Sequence, residues 1–303
     1  MTNPFSESFK TKTKDKETMQ EFNPNKRKIF DAHSHIGNFG KQKVRGHIVE
    51  PFKGREIKDA KDLEAHMKKT GINKCVIVPH YTFNQADAFE NNKKVLEAIR
   101  LEGVYGGLWV SPLPENTERT KRVLESLPIQ KIKALKICPQ SWPKGKITMN
   151  PETWSEAVKE NMEKIMAALK KHKLVLHAHT GTGNSDTTAY VKFVEKYGKG
   201  IKIQFVHMGS SPGGHFAFVP RFIEWLKQGY DFYCDTSETR GFAASWMIKE
   251  LQEKYPKGLD RVLFATDNPW GVPESEFWKI ESTDCEEEIK EKIFYENANE
   301  LYK

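Results

Sequence analysis

The sequence predicts a single domain with the (β/α)8 fold, an eight-stranded parallel TIM barrel surrounded by helices. Short β-branched or apolar segments alternate eight times with longer amphipathic segments over the 303 residues, a pattern typical of a parallel sheet. No GxGxxG phosphate loop follows the first predicted strand, which disfavours the alternative, an open doubly wound sheet. Polar residues stand at the C-terminal ends of the predicted strands, where barrels of this kind place their binding sites.

The predicted strands are short runs rich in Val, Ile, Phe and Tyr. They cover residues 27–32, 74–79, 104–110, 132–138, 173–179, 201–207, 230–235 and 261–266. The first and the eighth strand become neighbours only if the sheet closes into a barrel. Closure would therefore bring the polar ends of distant strands to one rim.

A helical pattern follows each predicted strand. Residues 59–71 predict the first helix, which ends at a glycine, and residues 150–172 predict the longest, with Pro151 in its first turn. The other helices are predicted near 87–101, 117–127, 186–197, 218–228, 241–254 and 286–302. The longest strand-to-helix connections, 36–58 and 139–150, are expected to contribute to a substrate pocket.

Composition and charge narrow the functional classes. We expect residues 1–27 to form a mobile basic extension without a signal-peptide core, and residues 28–303 to form the barrel domain. The four cysteines are far apart and form no CxxC motif, as expected for reduced thiols of a cytoplasmic protein. The net charge of +7 is diffuse, without an Arg-rich stripe. We therefore expect a small-molecule substrate and neither nucleic acid nor membrane as partner.

Six of the ten histidines lie at the ends of predicted strands. Residues i and i+2 of a strand point to the same side, so His33 and His35 can face one ion, although an isolated HxH pair could equally be hydrogen-bonded to backbone or water. The other strand-end residues are His80, Lys136, His177, His179, His207, Asp235 and Asp267. A catalytic zinc site uses about three protein ligands. The two first-strand histidines, one strand-five histidine and Asp267 supply such a set.

Six motifs in this order resemble the amidohydrolase superfamily, within it the amidohydrolase-related group of α-amino-β-carboxymuconate-semialdehyde decarboxylase and several lactone hydrolases. The motifs are DAHSHIG (31–37), HMKKTGINKCVIVP (66–79), LHAHTGTG (176–183), FVHMGS (205–210), LFATDNPWG (263–271) and NANELYK (297–303). The resemblance spans about residues 28–303. It implies one divalent metal ion, usually Zn2+, with His207 beside the metal-bound water. The implied ligands are His33, His35, His179 and Asp267.

Two positions keep alternatives. His179 precedes a Thr-Gly pair, as the family's ligand histidine does, and His177 would then lie one layer deeper as a supporting or packing residue. Asp31 could orient a ligand imidazole. Lys136 stands near the place where some superfamily members carry a carbamylated lysine between two metal ions; the alternative is a lysine that pairs with a carboxylate or binds an anionic substrate.

The resemblance implies a metal-dependent hydrolase, with decarboxylation as the competing reaction. In hydrolysis a metal-activated water attacks an amide, lactone or ester carbonyl, Asp267 takes the proton and His207 stabilises the oxyanion. In the alternative, Asp267 or His207 protonates carbon as an unsaturated or aromatic acid loses carbon dioxide. A catalytically inactive binding barrel is the third reading.

Several residues are candidates for substrate binding. They are His80, Tyr81, Lys136, Trp142, Arg240 and Trp270. The guanidinium of Arg240 could bind a carboxylate with two parallel hydrogen bonds, or it could pair with Glu238 at the surface. The two tryptophans could flank a planar substrate or pack within loops. The resemblance leaves a homodimer open.

Overall fold

The structure, a computed structural model, describes residues 27–39, 42–44, 47–50, 52–81 and 85–303. The prediction for the N-terminal extension therefore lies outside the described residues, apart from Arg27. The guanidinium of Arg27 pairs with Glu281 at 2.6 Å and with Glu287 at 2.5 Å. The chain thus enters the barrel domain next to its C-terminal helices.

Eight parallel strands form the central sheet, as the sequence predicts. They are β1 (Phe30–Ile36), β4 (Lys74–Pro79), β5 (Val104–Trp109), β6 (Ile132–Ile137), β7 (Val175–His179), β8 (Lys202–Val206), β9 (Phe232–Asp235) and β10 (Val262–Leu263), paired in that order. A short hairpin, β2 (Gln42–Val44) and β3 (His47–Val49), lies in the first long connection. The sheet order is the order of the sequence, which is the simplest barrel topology.

Hydrogen bonds between the first strand and the last segment close the barrel. The amide of Ala32 donates to Phe264 O, that of Asp267 to His33 O and that of His35 to Asn268 O, each at 2.9 Å. Strand β1 is longer than predicted because its pairing with β4 and with this segment continues through both histidines. The prediction that β1 ends at residue 32 is therefore wrong, and the two histidines lie inside the strand.

Helices fill the outside of the barrel. They are α1 (Ala60–Thr70), α2 (Gln85–Ala98), α3 (Thr117–Glu125), α4 (Glu156–His172), α5 (Thr187–Tyr197), α6 (Pro212–Lys227), α7 (Gly241–Lys254), α8 (Pro273–Glu281), α9 (Glu287–Glu291) and α10 (Asn297–Leu301). A π-helical turn joins the last two. Among the described residues, no helix is long and apolar enough to cross a membrane.

The starts of α4 and α6 differ most from the prediction, and a serine caps each of them. Ser155 caps α4 by accepting from the amide of Val158, and Pro151 belongs to a separate short turn. Ser211 caps α6, which begins six residues before the predicted start despite Pro220 in its interior. Helix α8 was not predicted, although a proline in its first turn and two early glutamates are ordinary signals of a helix start.

Alternation along the strands separates two apolar layers. On β4, Cys75 and Ile77 belong to the large core that also includes residues of the outer helices, while Val76 and Val78 belong to a smaller inner cluster. The inner cluster contains Phe30, Leu301 and the buried Tyr302 near the C terminus. We call this inner cluster the barrel floor; the opposite end of the barrel, where the strands end, is the rim.

Candidate metal centre

Strand β1 places two imidazoles on one carboxylate at the rim. His33 and His35 are both buried, and the Nε2 atom of each lies 3.0 Å from Oδ1 of Asp267. Asp267 follows β10 in the left-handed conformation, with φ of 52°, and its amide donates to His33 O at 2.9 Å. Barrel closure therefore brings together residues that are more than 230 positions apart in the sequence.

The hydrogen bonding of His35 leaves a lone pair directed at the carboxylate. Its Nδ1 lies 3.2 Å from Pro79 O, and because a carbonyl only accepts, Nδ1 carries the ring proton. Burial lowers the pKa of His35 to about 3, so its imidazole is neutral near neutral pH. The unprotonated Nε2 then faces Oδ1 of Asp267, and a proton on this carboxyl group or a cation between the two atoms would resolve the contact.

His33 and His207 complete a set of donors. Neither ring nitrogen of His33 makes a hydrogen bond within the described residues, and burial lowers the pKa of this imidazole well below its ordinary value. One ligand atom each from His33, His207 and Asp267 lie within 4.8 Å of one another. Nitrogen and carboxylate donors in this arrangement suit a divalent cation such as zinc or manganese.

A serine determines the orientation of His207. The Nδ1–H of His207 donates to Ser237 Oγ at 2.9 Å, and the Ser237 hydroxyl donates to Asp235 Oδ1 at 2.6 Å. The Nε2 lone pair of His207 therefore remains available to the cluster. The ring centroid of His207 lies 5.4 Å from that of His33 and 4.9 Å from that of His179. This position leaves His207 two roles, as a ligand or as the residue beside a bound water.

The two histidines of β7, the fifth strand of the barrel, occupy different environments. Nε2 of His177 lies 3.1 Å from the amide nitrogen of Gln204 and accepts its proton, below the rim. The ring centroid of His179 lies 4.9 Å from that of His207, and the ring centroid of His177 lies 4.8 Å from that of His33. The assignment of His179 as the ligand and His177 as the deeper residue remains a prediction.

Lys136 projects into the barrel without a hydrogen-bond partner for Nζ among the described residues. Burial lowers the pKa of this fully buried amine, whereas Asp267 and Asp235 act in the opposite direction. Burial raises the pKa of Asp267, and the charge of Lys136 opposes that increase. A buried ammonium beside the histidines can attract an anionic substrate.

Aromatic side chains border the cluster on one side. The ring centroid of His80 lies 6.0 Å from that of His35 and 5.8 Å from that of Trp270. The ring of Tyr81 is tilted relative to His80, with centroids 6.3 Å apart. Trp270 is half-buried, and its amide donates to Asp267 O at 2.8 Å. These positions agree with a wall around a planar substrate.

Two other predicted substrate residues lie elsewhere. Trp142 is 3% exposed and packs in the large core, as in the loop-packing alternative. Arg240 is exposed at the start of α7, where its amide donates to Nε2 of His215 at 3.3 Å. Neither position brings the side chain into the cluster, and their substrate roles remain predictions.

Asp31 supports the rim through the backbone. Its Oδ1 accepts from the amides of Thr266 at 2.9 Å and His33 at 3.2 Å, and its Oδ2 accepts from the Thr266 hydroxyl at 2.6 Å. Burial raises the pKa of Asp31 to about 6, against these hydrogen bonds. The carboxylate thus connects β1 to the segment that carries Asp267, instead of contacting an imidazole as the sequence suggested.

Sequence reasoning missed Ser237 and Gln204. Gln204 is fully buried in the middle of the apolar strand β8. A polar residue on the same face as strand-end histidines, inside an apolar run, is a signal that could have identified it. Ser237 offers no comparable signal, because its role depends on a turn after β9.

The family follows from a sequence comparison. A model of the amidohydrolase family matches residues 46–303. The chain belongs to this family. The match begins after β1, so the two first-strand histidines are placed by the structure rather than by the match. No curated protein matches the chain significantly.

Solved structures with this fold include hydrolases and decarboxylases. A probable 2-pyrone-4,6-dicarboxylic acid hydrolase from Acinetobacter baumannii, with citric acid bound, has TM-score 0.59 at 10% identity over 90% of this chain and 98% of that chain. The 5-carboxyvanillate decarboxylase from Novosphingobium aromaticivorans, with manganese and a nitrobenzoic acid, has a TM-score of 0.62 at 16% sequence identity. The match covers 92% of this chain and 96% of that chain. A 2,6-dihydroxybenzoate decarboxylase from Rhizobium has a TM-score of 0.58 at 13% sequence identity, and the match covers 91% of this chain and 98% of that chain. These likenesses show the fold.

Proposed function

We propose that this amidohydrolase-family protein is a cytoplasmic enzyme that uses one divalent metal ion to hydrolyse an amide, lactone or ester bond in a small anionic substrate. The supporting observation is the convergence of the His33 and His35 Nε2 atoms on Asp267 Oδ1, each at 3.0 Å. Two neutral imidazoles facing one buried carboxylate are balanced by a cation.

The proposed metal ligands are His33, His35, His179 and Asp267. Zn2+ is the first expectation because imidazole ligands suit it, whereas Mn2+ suits carboxylates and is present in the decarboxylase structure described above. When bound, the metal supplies Lewis acidity and lowers the pKa of a coordinated water. We propose a single ion, with unmodified Lys136 as a cation that holds the substrate.

The protein's own groups then divide the remaining work. Asp267, within 3.0 Å of both first-strand imidazoles, accepts the proton from the attacking water and returns it to the leaving group. His207, held by Ser237 with its proton on Nδ1, directs the Nε2 lone pair at the attacking water, accepts a hydrogen bond from it and so orients it. Lys136 binds a carboxylate of the substrate, while His80 and Trp270 border its flat face.

Decarboxylation is the second candidate. It is favoured by the buried cluster and by the aromatic wall, which suits an aromatic acid, and similar solved structures include decarboxylases of such acids. Here Asp267, whose pKa burial raises, would in its protonated form give its proton to the carbon that loses carbon dioxide. The ligand set is the same for both reactions.

Metal analysis combined with a substrate screen tests both candidates. The purified protein is stripped with a chelator, reloaded with Zn2+ or Mn2+, and assayed with lactones, amides and carboxylated aromatic acids. We expect about one ion per chain and turnover in one of these classes. A stripped protein that binds small acids but no metal, and converts none of these substrates, would instead support the binding-barrel reading.

The His33→Ala variant tests the ligand assignment. We expect loss of both metal and turnover with an unchanged circular dichroism spectrum, because the donor is removed without disturbing the strand. Full metal occupancy in a variant that lacks both His33 and Asp267 would contradict the assignment.

A further inference from the structure

A chain of hydrogen bonds runs from the C-terminal end of the protein to the rim. The hydroxyl of Tyr302 donates to Gln204 Oε1. The Gln204 amide nitrogen donates to Asp235 Oδ2 at 2.7 Å. Asp235 Oδ1 accepts from Ser237 Oγ at 2.6 Å, and Ser237 Oγ accepts from His207 Nδ1 at 2.9 Å. All five residues are buried.

The hydroxyl of Tyr302 and three acceptors on the opposite side together determine which way the Gln204 amide faces. An amide presents one accepting and one donating end. The Tyr302 hydroxyl donates to Oε1, so the nitrogen must face the opposite direction, towards Asp235 Oδ2, His177 Nε2 at 3.1 Å and Ala32 O at 3.2 Å. These three atoms accept, so the reversed amide would place an oxygen against acceptors.

Asp235 passes this orientation to His207. Its Oδ1 also accepts from the amides of His207 and Ser237, each at 3.2 Å. The carboxylate therefore holds both the backbone of His207, which is in the left-handed region with φ of 73°, and the serine that binds its ring. A rotation of Asp235 would release both contacts.

We propose that Tyr302 is a positioning residue for the metal centre, which acts through Gln204, Asp235 and Ser237 to hold the His207 imidazole with its proton on Nδ1. The metal-related part of this inference rests on the proposed function, whereas the tautomer of His207 does not. The last turn of the chain thereby reaches across the barrel floor to the rim.

Tyr302→Phe tests the proposal because it removes only the hydroxyl. Tyr233→Phe is the matched control: Tyr233 belongs to the same barrel floor, but its hydroxyl contacts Arg261 instead of Gln204. In the metal-free proteins, imidazole 15N chemical shifts report which nitrogen of His207 carries the proton. We expect a mixture of tautomers in Tyr302→Phe and the Nδ1–H form in wild type and Tyr233→Phe.

Metal affinity gives the second measurement. Loss of a residue that supports a metal site from outside the ligands costs about 10-fold to 100-fold in affinity. His207 lies beside the ligands His33 and Asp267, so we expect about a tenfold larger Mn2+ dissociation constant in Tyr302→Phe by equilibrium titration. The Tyr233→Phe variant should bind as wild type. In a Gln204→Leu background, Tyr302→Phe should weaken binding no further, because its connection to Asp235 is already removed.

The outcomes separate the two proposals. Wild-type His207 shifts in Tyr302→Phe, or Mn2+ affinity equal to that of Tyr233→Phe, would overturn the positioning role, and additive losses in the double variant would show that Tyr302 does not act through Gln204. Absence of metal binding by the wild-type protein would overturn the proposed function and the metal part of the inference, while the 15N shifts would still decide the tautomer.

Discussion

The rim and the floor of the barrel are built on opposite principles. At the floor, apolar side chains such as Phe30, Val76 and Leu301 pack together, and the hydroxyl of Tyr302 has a partner. At the rim, Nζ of Lys136 and the ring nitrogens of His33 are equally buried but make no hydrogen bond among the described residues. Buried polar groups without partners destabilise a fold.

The difference indicates that the rim keeps buried polar groups that lower the stability of the fold and that are available for binding or catalysis. The floor follows the rules of core packing, whereas the rim breaks them at the ends of strands, the place where barrels carry functional sites. Substitutions at the rim should therefore reduce activity and spare the fold, and substitutions of the apolar side chains at the floor should do the reverse.

Asp267→Asn should have the largest effect at the rim. The substitution keeps the shape of the side chain but removes the carboxylate charge that faces both imidazoles. It thereby also removes the proposed proton acceptor. We expect kcat/KM to fall by about 10⁴-fold, the upper part of the range for general acid-base groups, with little change in unfolding midpoint. Turnover assays and thermal unfolding measure the two quantities. Near-normal turnover would contradict the proposed role of Asp267.

Phe30→Ala should have the largest effect at the floor. Truncation of a fully buried phenylalanine removes apolar contacts and leaves a cavity, at a cost of about 3–5 kcal/mol in the free energy of unfolding. Urea denaturation measures this loss. Phe216→Ala is the control, since that side chain is 59% exposed and should change stability little. Equal losses of unfolding free energy in the two variants would show that packing at the floor does not stabilise the fold as described.

Lys136→Met should separate stability from substrate binding within the rim. It removes a buried amine without partners in the described structure, so the metal-free protein should gain stability. The KM for a carboxylated substrate should rise by about tenfold or more, the value of a hydrogen bond to a charged group. Differential scanning calorimetry and steady-state kinetics test these opposite signs. A lower melting temperature together with loss of a second metal ion would instead favour the carbamylated lysine.

The pH dependence of stability should reveal the buried imidazoles. Burial lowers the pKa of His35 to about 3 and that of His66 to about 4, below the ordinary value of 6.5. At these two imidazoles the unfolded chain binds protons that the folded metal-free protein does not, so they reduce stability as the pH is lowered from about 6.5 towards 4. Asp31, whose pKa burial raises to about 6, acts in the opposite direction. Urea denaturation at several pH values checks this slope.

His66→Gln sharpens the same experiment. His66 lies on α1 and not on β1. The variant should therefore lose the contribution of His66 to the change of stability with pH and keep the contribution of His35. Equal slopes in the wild type and in His66→Gln would show that burial does not hold the His66 imidazole neutral.

Local pattern was enough to predict the fold class. Strand alternation and helical periodicity depend on neighbours in the sequence, and they predicted eight strand and helix units and the rim position of the candidate residues. The same patterns misplaced the end of β1, because its extension depends on pairing with β4 and with Asn268. Periodicity also missed the short helix α8.

The arrangement of the site depends on the tertiary structure. The sequence by itself determined that histidines, a lysine and carboxylates would stand at strand ends. Only closure of the barrel decided that His33 and His35 share Asp267, that His207 is held by Ser237, and that Tyr302 reaches Gln204. Proton positions and unpaired lone pairs are set by atoms distant in the chain, and no local pattern carries that information.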